Sequence, residues 1–401
     1  MDYGPHETGL KPIIKQHCPG MIKIVADNKI PFLKGVLDEI AEVHYIPGRK
    51  IGHEHVKDAD ALIVRTRTKC DEHLLEGTPV KYIATATIGY DHLDIDYLKK
   101  KQITWGNAPG CNSGSVMQYV ASSLAYITGK TGRPFKNLTM GIIGAGHVGR
   151  KVERLARLMG MNVLLNDPPR ERKEGRNSFT DLELLLAESD IVTLHVPLNK
   201  SGRDKTLHMA SHNFLSKMKK GAWLVNTSRG EVLNTGAVRE SLLNEHTAGT
   251  ILDVWENEPD IDRGLLELSD IGTPHIAGYS MDGKANGTAQ SVRAISRFFG
   301  LGMDDWYPES IPSPSGSILQ IENSLLSPEQ LAKIVFYHTY DILADSYRLK
   351  ANPEYFEKLR DNYPPRREFG AFSVKFNDPA DRNIEILQSL GFKLLNNTIK
   401  N

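Results

Sequence analysis

Long apolar runs, a surplus of one charge and a cysteine framework are all missing from this chain of 401 residues. No apolar stretch approaches the ~20 residues needed to cross a bilayer, so no membrane partner is expected. Lys and Arg (49) balance Asp and Glu (49) to a formal net charge of zero, which argues against a nucleic-acid partner gripped by a basic surface. Three cysteines, Cys18, Cys70 and Cys111, are too few and too scattered for a disulfide scaffold or a zinc cluster. No metal site is expected, and a reducing cytoplasm fits. With 40% apolar and 24% charged residues the chain is not a disordered one. At roughly 100 to 200 residues per domain, its length predicts about two to four domains.

Residues 1–20 hold Gly4-Pro5, Gly9, Pro12 and Pro19-Gly20, and their one apolar pair, Ile13-Ile14, is too short for the core of a signal peptide. They are expected to be a disordered leader. From Met21, β-branched runs alternate with helical patterns: strands at Ile22 to Ala26, Ala61 to Thr66 and Tyr82 to Thr87, helices near Pro31 to Glu42 and Asp71 to Leu75. That rhythm means βαβ units and a parallel sheet. A second set follows, with strands near Thr139 to Ile143, Asn162 to Asn166, Ile191 to His195, Ala222 to Asn226 and Gly249 to Val254. Ser113 can cap a helix from about Gly114 to Thr128, long enough to link two domains. The helical pattern Lys284 to Phe299 supplies the closing element that the first domain lacks.

A proline- and serine-rich stretch, Trp306 to Ser317, reads as a linker. Beyond it, Ser327-Pro328-Glu329-Gln330 combines an N-cap, a proline at the first helical position and a capping-box Gln. A helix at Glu354 to Asn362, a strand at Phe369 to Val374 and a helix from Pro379 to Leu390 complete a mixed α/β unit. The expected fold is therefore α/β: two doubly wound parallel-sheet domains and a smaller C-terminal α/β unit. The boundaries fall at 21–115 with 277–302 returning, 116–276, and 303–401.

The segment Gly144-Ala145-Gly146-His147-Val148-Gly149 places G-x-G-x-x-G at the end of a strand and the start of a helix. Gly144 permits the tight turn, Gly146 lets a pyrophosphate reach the backbone, and Gly149 allows close helix-to-strand packing. Asp167, 18 residues after Gly149 and at the end of the next strand, can accept from ribose hydroxyls and would repel a 2′-phosphate. The cofactor is expected to be NAD, although Arg170 and Arg172 nearby soften the exclusion of NADP.

Hydride transfer from an alcohol carbon needs a base, a cation for an acid substrate and a neighbour that tunes the base. Arg229 follows one buried strand, Glu258 another, and His275 stands in Thr273-Pro274-His275-Ile276. A carboxylate against an imidazole makes it a competent acid and base near neutral pH. By spacing alone, however, these could be a surface cation, a solvated acid and one of 14 histidines, and His195 in Leu194-His195-Val196-Pro197 competes on equal terms.

The combined signature, from the glycine loop through Asn226-Thr227-Ser228-Arg229-Gly230 and Asp253-Val254-Trp255-Glu256-Asn257-Glu258-Pro259 to His275-Ile276-Ala277-Gly278-Tyr279, resembles the D-isomer-specific 2-hydroxyacid dehydrogenases. More narrowly, Pro47-Gly48-Arg49, Val64-Arg65-Thr66-Arg67-Thr68-Lys69, Ala84-Thr85-Ala86-Thr87-Ile88-Gly89-Tyr90-Asp91-His92, Ala108-Pro109-Gly110-Cys111-Asn112 and the extra C-terminal unit are similar to a branch acting on a phosphorylated four-carbon hydroxyacid in vitamin B6 synthesis. The resemblance implies a flavodoxin-like substrate-binding domain, a Rossmann NAD-binding domain and a C-terminal dimerisation domain, hence a homodimer. It implies Arg229, Glu258 and His275 as the catalytic trio. It implies NAD contacts from Gly144, Gly146, His147, Val148, Gly149, Asp167, Val196, Thr227, Asp253 and Gly278, and substrate contacts from Thr66, Thr87 and Tyr279.

Arg49, Arg65, Arg67 and the Arg366-Arg367 pair are open alternatives for the substrate's phosphate. Two other readings stay open as well: a related dehydrogenase of phosphoglycerate or glyoxylate, which would share the trio, and an NAD-sensing corepressor that recognises peptides.

Overall fold

The computed structural model describes residues 21–322, 326–376 and 380–395. The leader assigned to residues 1–20 and the helix start assigned to Pro379 lie outside them. The chain divides into two compact units, residues up to 112 with 281–312, and residues 113–280 with those from 313 onward.

In the first unit, five parallel strands, β1 (Lys23–Asp27), β2 (Glu42–Ile46), β3 (Ala61–Val64), β4 (Tyr82–Thr85) and β5 (Thr104–Gly106), lie in the order β2-β1-β3-β4-β5. The central strands β3 and β4 are buried at every position. That is the burial expected of parallel strands covered on both faces, and it explains why they read as apolar runs. The helix Met281–Phe299 returns to cover one face, where Val292 and Ile295 join Ile24, Ala26, Ile63 and Ala84 in one core. The helix expected over Pro31 to Glu42 is instead a series of turns closing into β2. Phe32 (φ 64°) and Gly35 (φ 86°) take left-handed conformations that interrupt an α-helix.

The second unit opens with the helix Ser113–Thr131, buried along most of its length. Its sheet contains β6 (Thr139–Ile143), β7 (Asn162–Asn166), β8 (Ile191–Leu194), β9 (Ala222–Asn226), β10 (Thr247–Leu252) and β11 (Ile271–Gly272) in the order β11-β10-β9-β8-β6-β7. All pairings are parallel, with Ile143 opposite both Asn166 and Leu194. The chain thus leaves β6 in both directions, and the carboxyl end of β6 is the switch point where such sheets bind ligands.

The residues from 313 onward add β12 (Ile318–Ile321), β13 (Ser373–Phe376) and β14 (Lys393–Leu395) as a small parallel sheet. Ser327 caps the helix Pro328–Thr339 with its hydroxyl accepting from Gln330 N–H, the capping box that the residues announce. Leu331, Val335 and Phe336 of that helix share a core with Tyr119 and Leu124 of Ser113–Thr131. Of the segment expected to stand as a third unit from residue 303, residues 303–312 go with the first unit and those from 313 onward with the second. The strand expected at Phe369 to Val374 begins later, because Phe369–Ala371 closes a 3-10 turn that buries Phe369.

Candidate active site

At the carboxyl end of β6 the glycine turn has the shape its residue types require. Gly144 takes φ 91°, and a Cβ on Gly149 would lie 2.0 Å from Gly144 O, so strand and helix touch backbone to backbone. A Cβ on Gly146 would meet nothing within 4 Å. The helix His147–Leu158 starts there with no side chain capping it, leaving its positive end to an anion. Gly146 and His147 are exposed and Val148 half-buried. Val196 Cγ1 would stand 3.0 Å from a Cβ on Gly144, so the end of β8 borders the turn.

Asp167 follows β7, caps the helix Pro168–Glu174 through Arg170 N–H (3.1 Å) and accepts from Ala145 N–H (2.8 Å). The two cations that could welcome a 2′-phosphate are engaged by acids: Arg170 with Glu174 at 2.5 Å, Arg172 with Asp204 at 2.5 Å. An open glycine, an uncapped helix end and a carboxylate at the next strand end fit a dinucleotide with free ribose hydroxyls.

Arg229, Glu258 and His275 follow β9, β10 and β11, three neighbouring parallel strands, and so share one edge of the sheet. The Arg229 turn is locked onto the next loop at Gly230, where a Cβ would come within 1.9 Å of the Trp255 carbonyl. Arg229 Nη1 donates to Ser228 O at 2.8 Å. Glu258 Oε2 lies 2.7 Å from His275 Nδ1, while Oε1 accepts from Trp255 N–H at 3.0 Å. Burial opposes the Glu258 charge, but His275, the Trp255 N–H and Arg360 outweigh it and hold this carboxyl below its usual range. With the Nδ1 side against Glu258, Nε2 of His275 is the nitrogen left for proton transfer.

His195, the competing imidazole, has both ring nitrogens occupied: Thr193 Oγ1 at 3.0 Å from Nε2 and Thr227 Oγ1 at 3.2 Å from Nδ1. Burial pushes its pKa down to about 3. It braces β8 against the Thr227 turn.

His275 itself has φ 58°, a left-handed conformation that non-glycine residues adopt at a cost. Asp253, 1% exposed, sits beneath the loop and accepts from Thr273 Oγ1 (2.6 Å), Ile276 N–H (2.7 Å) and Ala277 N–H (2.8 Å). Its carboxyl thus faces the loop that carries His275, with Gly278 and Tyr279 next in line. Tyr279 OH accepts from Arg360 Nη2 at 3.3 Å, and Arg360 Nη1 lies 3.9 Å from Glu258 Oε2. Arg360, on the short helix Phe356–Asp361, was not singled out by sequence; its partners are about 80 to 100 residues away along the chain.

In the first unit, Thr66 is exposed just beyond β3 and Thr87 is half-buried just beyond β4, at the same carboxyl edge. Thr87 Oγ1 donates to Gly89 O at 2.8 Å and lies 2.7 Å from Thr85 Oγ1, which shapes the Thr87-Ile88-Gly89 turn. Arg65 Nε donates to the buried Asp27 at 2.9 Å and is a third exposed. In the second unit, Arg366 is 6% exposed and directed at backbone carbonyls, which withdraws it as a phosphate ligand. Among the described residues no three His, Cys, Asp or Glu side chains gather as a metal ion needs, and no helix is long and apolar enough to cross a membrane.

A family described as D-isomer specific 2-hydroxyacid dehydrogenase, NAD binding domain, matches residues 121–277, and a domain described only as of unknown function matches residues 311–391. The chain is 49% identical over 354 residues to a protein of Bacteroides thetaiotaomicron named erythronate-4-phosphate dehydrogenase, covering 88% of this chain and 99% of the relative. Among solved structures it is similar to a D-lactate dehydrogenase from Aquifex aeolicus complexed with NAD and lactic acid (TM-score 0.58, 28% identity, 69% of this chain and 95% of that one). It is also similar to NAD-bound 3-phosphoglycerate dehydrogenase of Entamoeba histolytica (TM-score 0.60, 26% identity, 73% of this chain and 100% of that one).

Proposed function

The chain belongs to the erythronate-4-phosphate dehydrogenase family, and from that premise we propose how its residues oxidise 4-phospho-D-erythronate to 2-oxo-3-hydroxy-4-phosphobutanoate on the route to pyridoxal 5′-phosphate. NAD, when bound, supplies the nicotinamide ring that accepts the hydride from C2. Gly144, Gly146, His147, Val148 and Gly149 cradle the pyrophosphate and Asp167 holds the adenosine ribose. Val196, Thr227, Asp253 and Gly278 line the remainder of the cofactor path. Arg229 presents a planar fork to the substrate's carboxylate and polarises the C2 oxygen. His275 Nε2 takes the C2 hydroxyl proton as the hydride departs, and Glu258 stabilises the resulting imidazolium through Nδ1. Thr66, Thr87 and Tyr279 orient the acid.

The observation that carries this reading is the 2.7 Å contact of Glu258 with His275 on the sheet edge that also carries the glycine turn and Arg229. The test is NADH formation with 4-phospho-D-erythronate, 3-phosphoglycerate and D-lactate under identical conditions. The four-carbon phosphate is expected to give the highest kcat/KM; equal efficiency with D-lactate would defeat the substrate assignment.

We further read the working form as a cytoplasmic homodimer joined through the C-terminal part. Ile318 (59%) and Leu395 (40%) are exposed on the outer strands of the small sheet, and Tyr347 (75%) on the helix Ile342–Ala351, apolar side chains that a second copy could cover. Light scattering on the purified chain should give twice the monomer mass.

A further inference from the structure

The segment joining the helix Phe356–Asp361 to β13 contains Pro364-Pro365-Arg366-Arg367-Glu368, and its polar groups turn inward. Arg366 stacks on Tyr340 with its guanidinium carbon 4.2 Å from the ring centre. Its Nη2 donates to Ala277 O at 2.6 Å, to Ile276 O at 3.3 Å and to Ser115 Oγ, which itself donates to Ala277 O at 2.8 Å. Asp253 takes the N–H groups of the same two residues, Ile276 and Ala277. The backbone after His275 is therefore strung between a buried acid, which accepts from its N–H groups, and a buried cation, which donates to its carbonyls. Glu368 adds a second tie at the far end of the loop, accepting from Ser280 Oγ at 2.9 Å.

Two features separate this from ordinary packing. Arg366 Nε and Nη1 are buried with no hydrogen-bond partner. Burying a guanidinium with two nitrogens unpaired is costly, so its use here lies in what Nη2 does for the loop. The residue that the clamp follows, His275, has φ 58°, and a non-glycine residue stays in that region only where its surroundings over-determine it. Asp253 holds the N–H groups of Ile276 and Ala277; of the acceptors, Ala277 O takes Arg366 and Ser115, while Ile276 O takes Tyr279 N–H at 2.8 Å with Arg366 beside it at 3.3 Å.

We propose that Arg366 is a positioning residue for hydride transfer: the C-terminal part of the chain acts on the reaction by clamping the Ile276 and Ala277 carbonyls, which fixes the left-handed His275 and aims its Nε2. The proposal rests on His275 being the base. It gives the domain described only as of unknown function a task in the chemistry, beyond any part in assembly. Arg360, from the preceding helix of the same segment, approaches the Glu258 side of the pair.

The full-length chain with NAD serves for the test, comparing Arg366→Met, Arg366→Lys and His275→Asn in kcat, KM for 4-phospho-D-erythronate and NADH affinity from fluorescence. A clamp predicts that Arg366→Met loses about 100-fold in kcat through a misaimed base, with NADH affinity within about threefold of wild type. Arg366→Lys, which keeps a cation for the carbonyls, should recover most of that loss. Wild-type kcat in a folded Arg366→Met, or parallel losses of kcat and NADH affinity with no rescue by Lys, overturns the proposal. If Arg366→Met does not fold, Arg366→Gln puts a shorter, neutral amide in place of the guanidinium and withdraws the direct bond to Ala277 O. A fall in its kcat at unchanged NADH affinity supports the clamp, and an unchanged kcat refutes it. Retained turnover in His275→Asn would instead defeat the assignment of the base, a separate failure.

Discussion

Gly146 and Gly149 stand three residues apart in one turn, yet alanine should damage them in different ways. A Cβ on Gly149 would sit 2.0 Å from Gly144 O, against 3.4 Å for the start of ordinary contact, so helix and strand must part by about 1.4 Å. Both sides of that contact are backbone, and no side chain can swing clear. Overpacking of this kind costs about 1–3 kcal/mol or more. For a unit of this size each kcal/mol lowers Tm by about 2–4 °C, so Gly149→Ala should melt roughly 4–10 °C below wild type. At Gly146 the backbone, with φ −74°, suits alanine, and the methyl group would meet nothing within 4 Å. Gly146→Ala should therefore keep its stability to within about 0.5 kcal/mol. Its methyl group would nevertheless occupy the approach of the pyrophosphate and weaken NADH binding by about 10- to 100-fold, or 1.4 to 2.8 kcal/mol. Thermal melting without ligand and fluorescence titration with NADH read the two effects separately. A Gly149→Ala protein that melts with wild type, or a Gly146→Ala protein that binds NADH as tightly as wild type, would refute the reasoning.

Two further outcomes follow from the same geometry. Glu258→Gln keeps the size of the side chain but removes the charge 2.7 Å from His275 Nδ1, so kcat should fall by about 100- to 10,000-fold while NADH affinity stays unchanged; steady-state kinetics with a binding titration decide it. Acid should destabilise both units, because burial holds His92 near about 4 in the first and His195 near about 3 in the second. Both values lie below the ordinary 6.5, so on acidification the unfolded chain binds protons that the folded one refuses. Stability should fall between pH 6.5 and about 4.5 by up to ~1.4 kcal/mol per pH unit for each imidazole, and His195→Gln should flatten the slope of the second unit. Urea midpoints that stay constant from pH 6.5 to 5 would contradict this.

What the sequence made legible was whatever depends on neighbours in the chain. The strands β3, β4, β6, β8 and β9 are short apolar runs because parallel strands are covered on both faces, and the glycine turn is recognisable because its three glycines answer three local steric demands. The Ser327 capping box is equally local. Pro31 to Glu42 misled because its apolar spacing imitates a helix while the left-handed Phe32 and Gly35 break one. The choice of His275 over His195 came from family resemblance rather than spacing. In three dimensions the two differ plainly: one faces an acid, the other is consumed by two threonines. Arg366 was read as one of a basic pair open to a phosphate. Tyr340, 26 residues away, and the Ala277 carbonyl, 89 residues away, make it a buried clamp, and no local pattern reports such partners.

The central claim, an imidazole base held by an acid beside a bound nicotinamide, is tested most directly by the rate of NADH appearance when NAD-saturated enzyme meets 4-phospho-D-erythronate in a single turnover, wild type against His275→Asn. The account predicts a loss of about 100- to 10,000-fold in that rate with the NADH dissociation constant unchanged. A His275→Asn protein that forms NADH within about tenfold of the wild-type rate would contradict it.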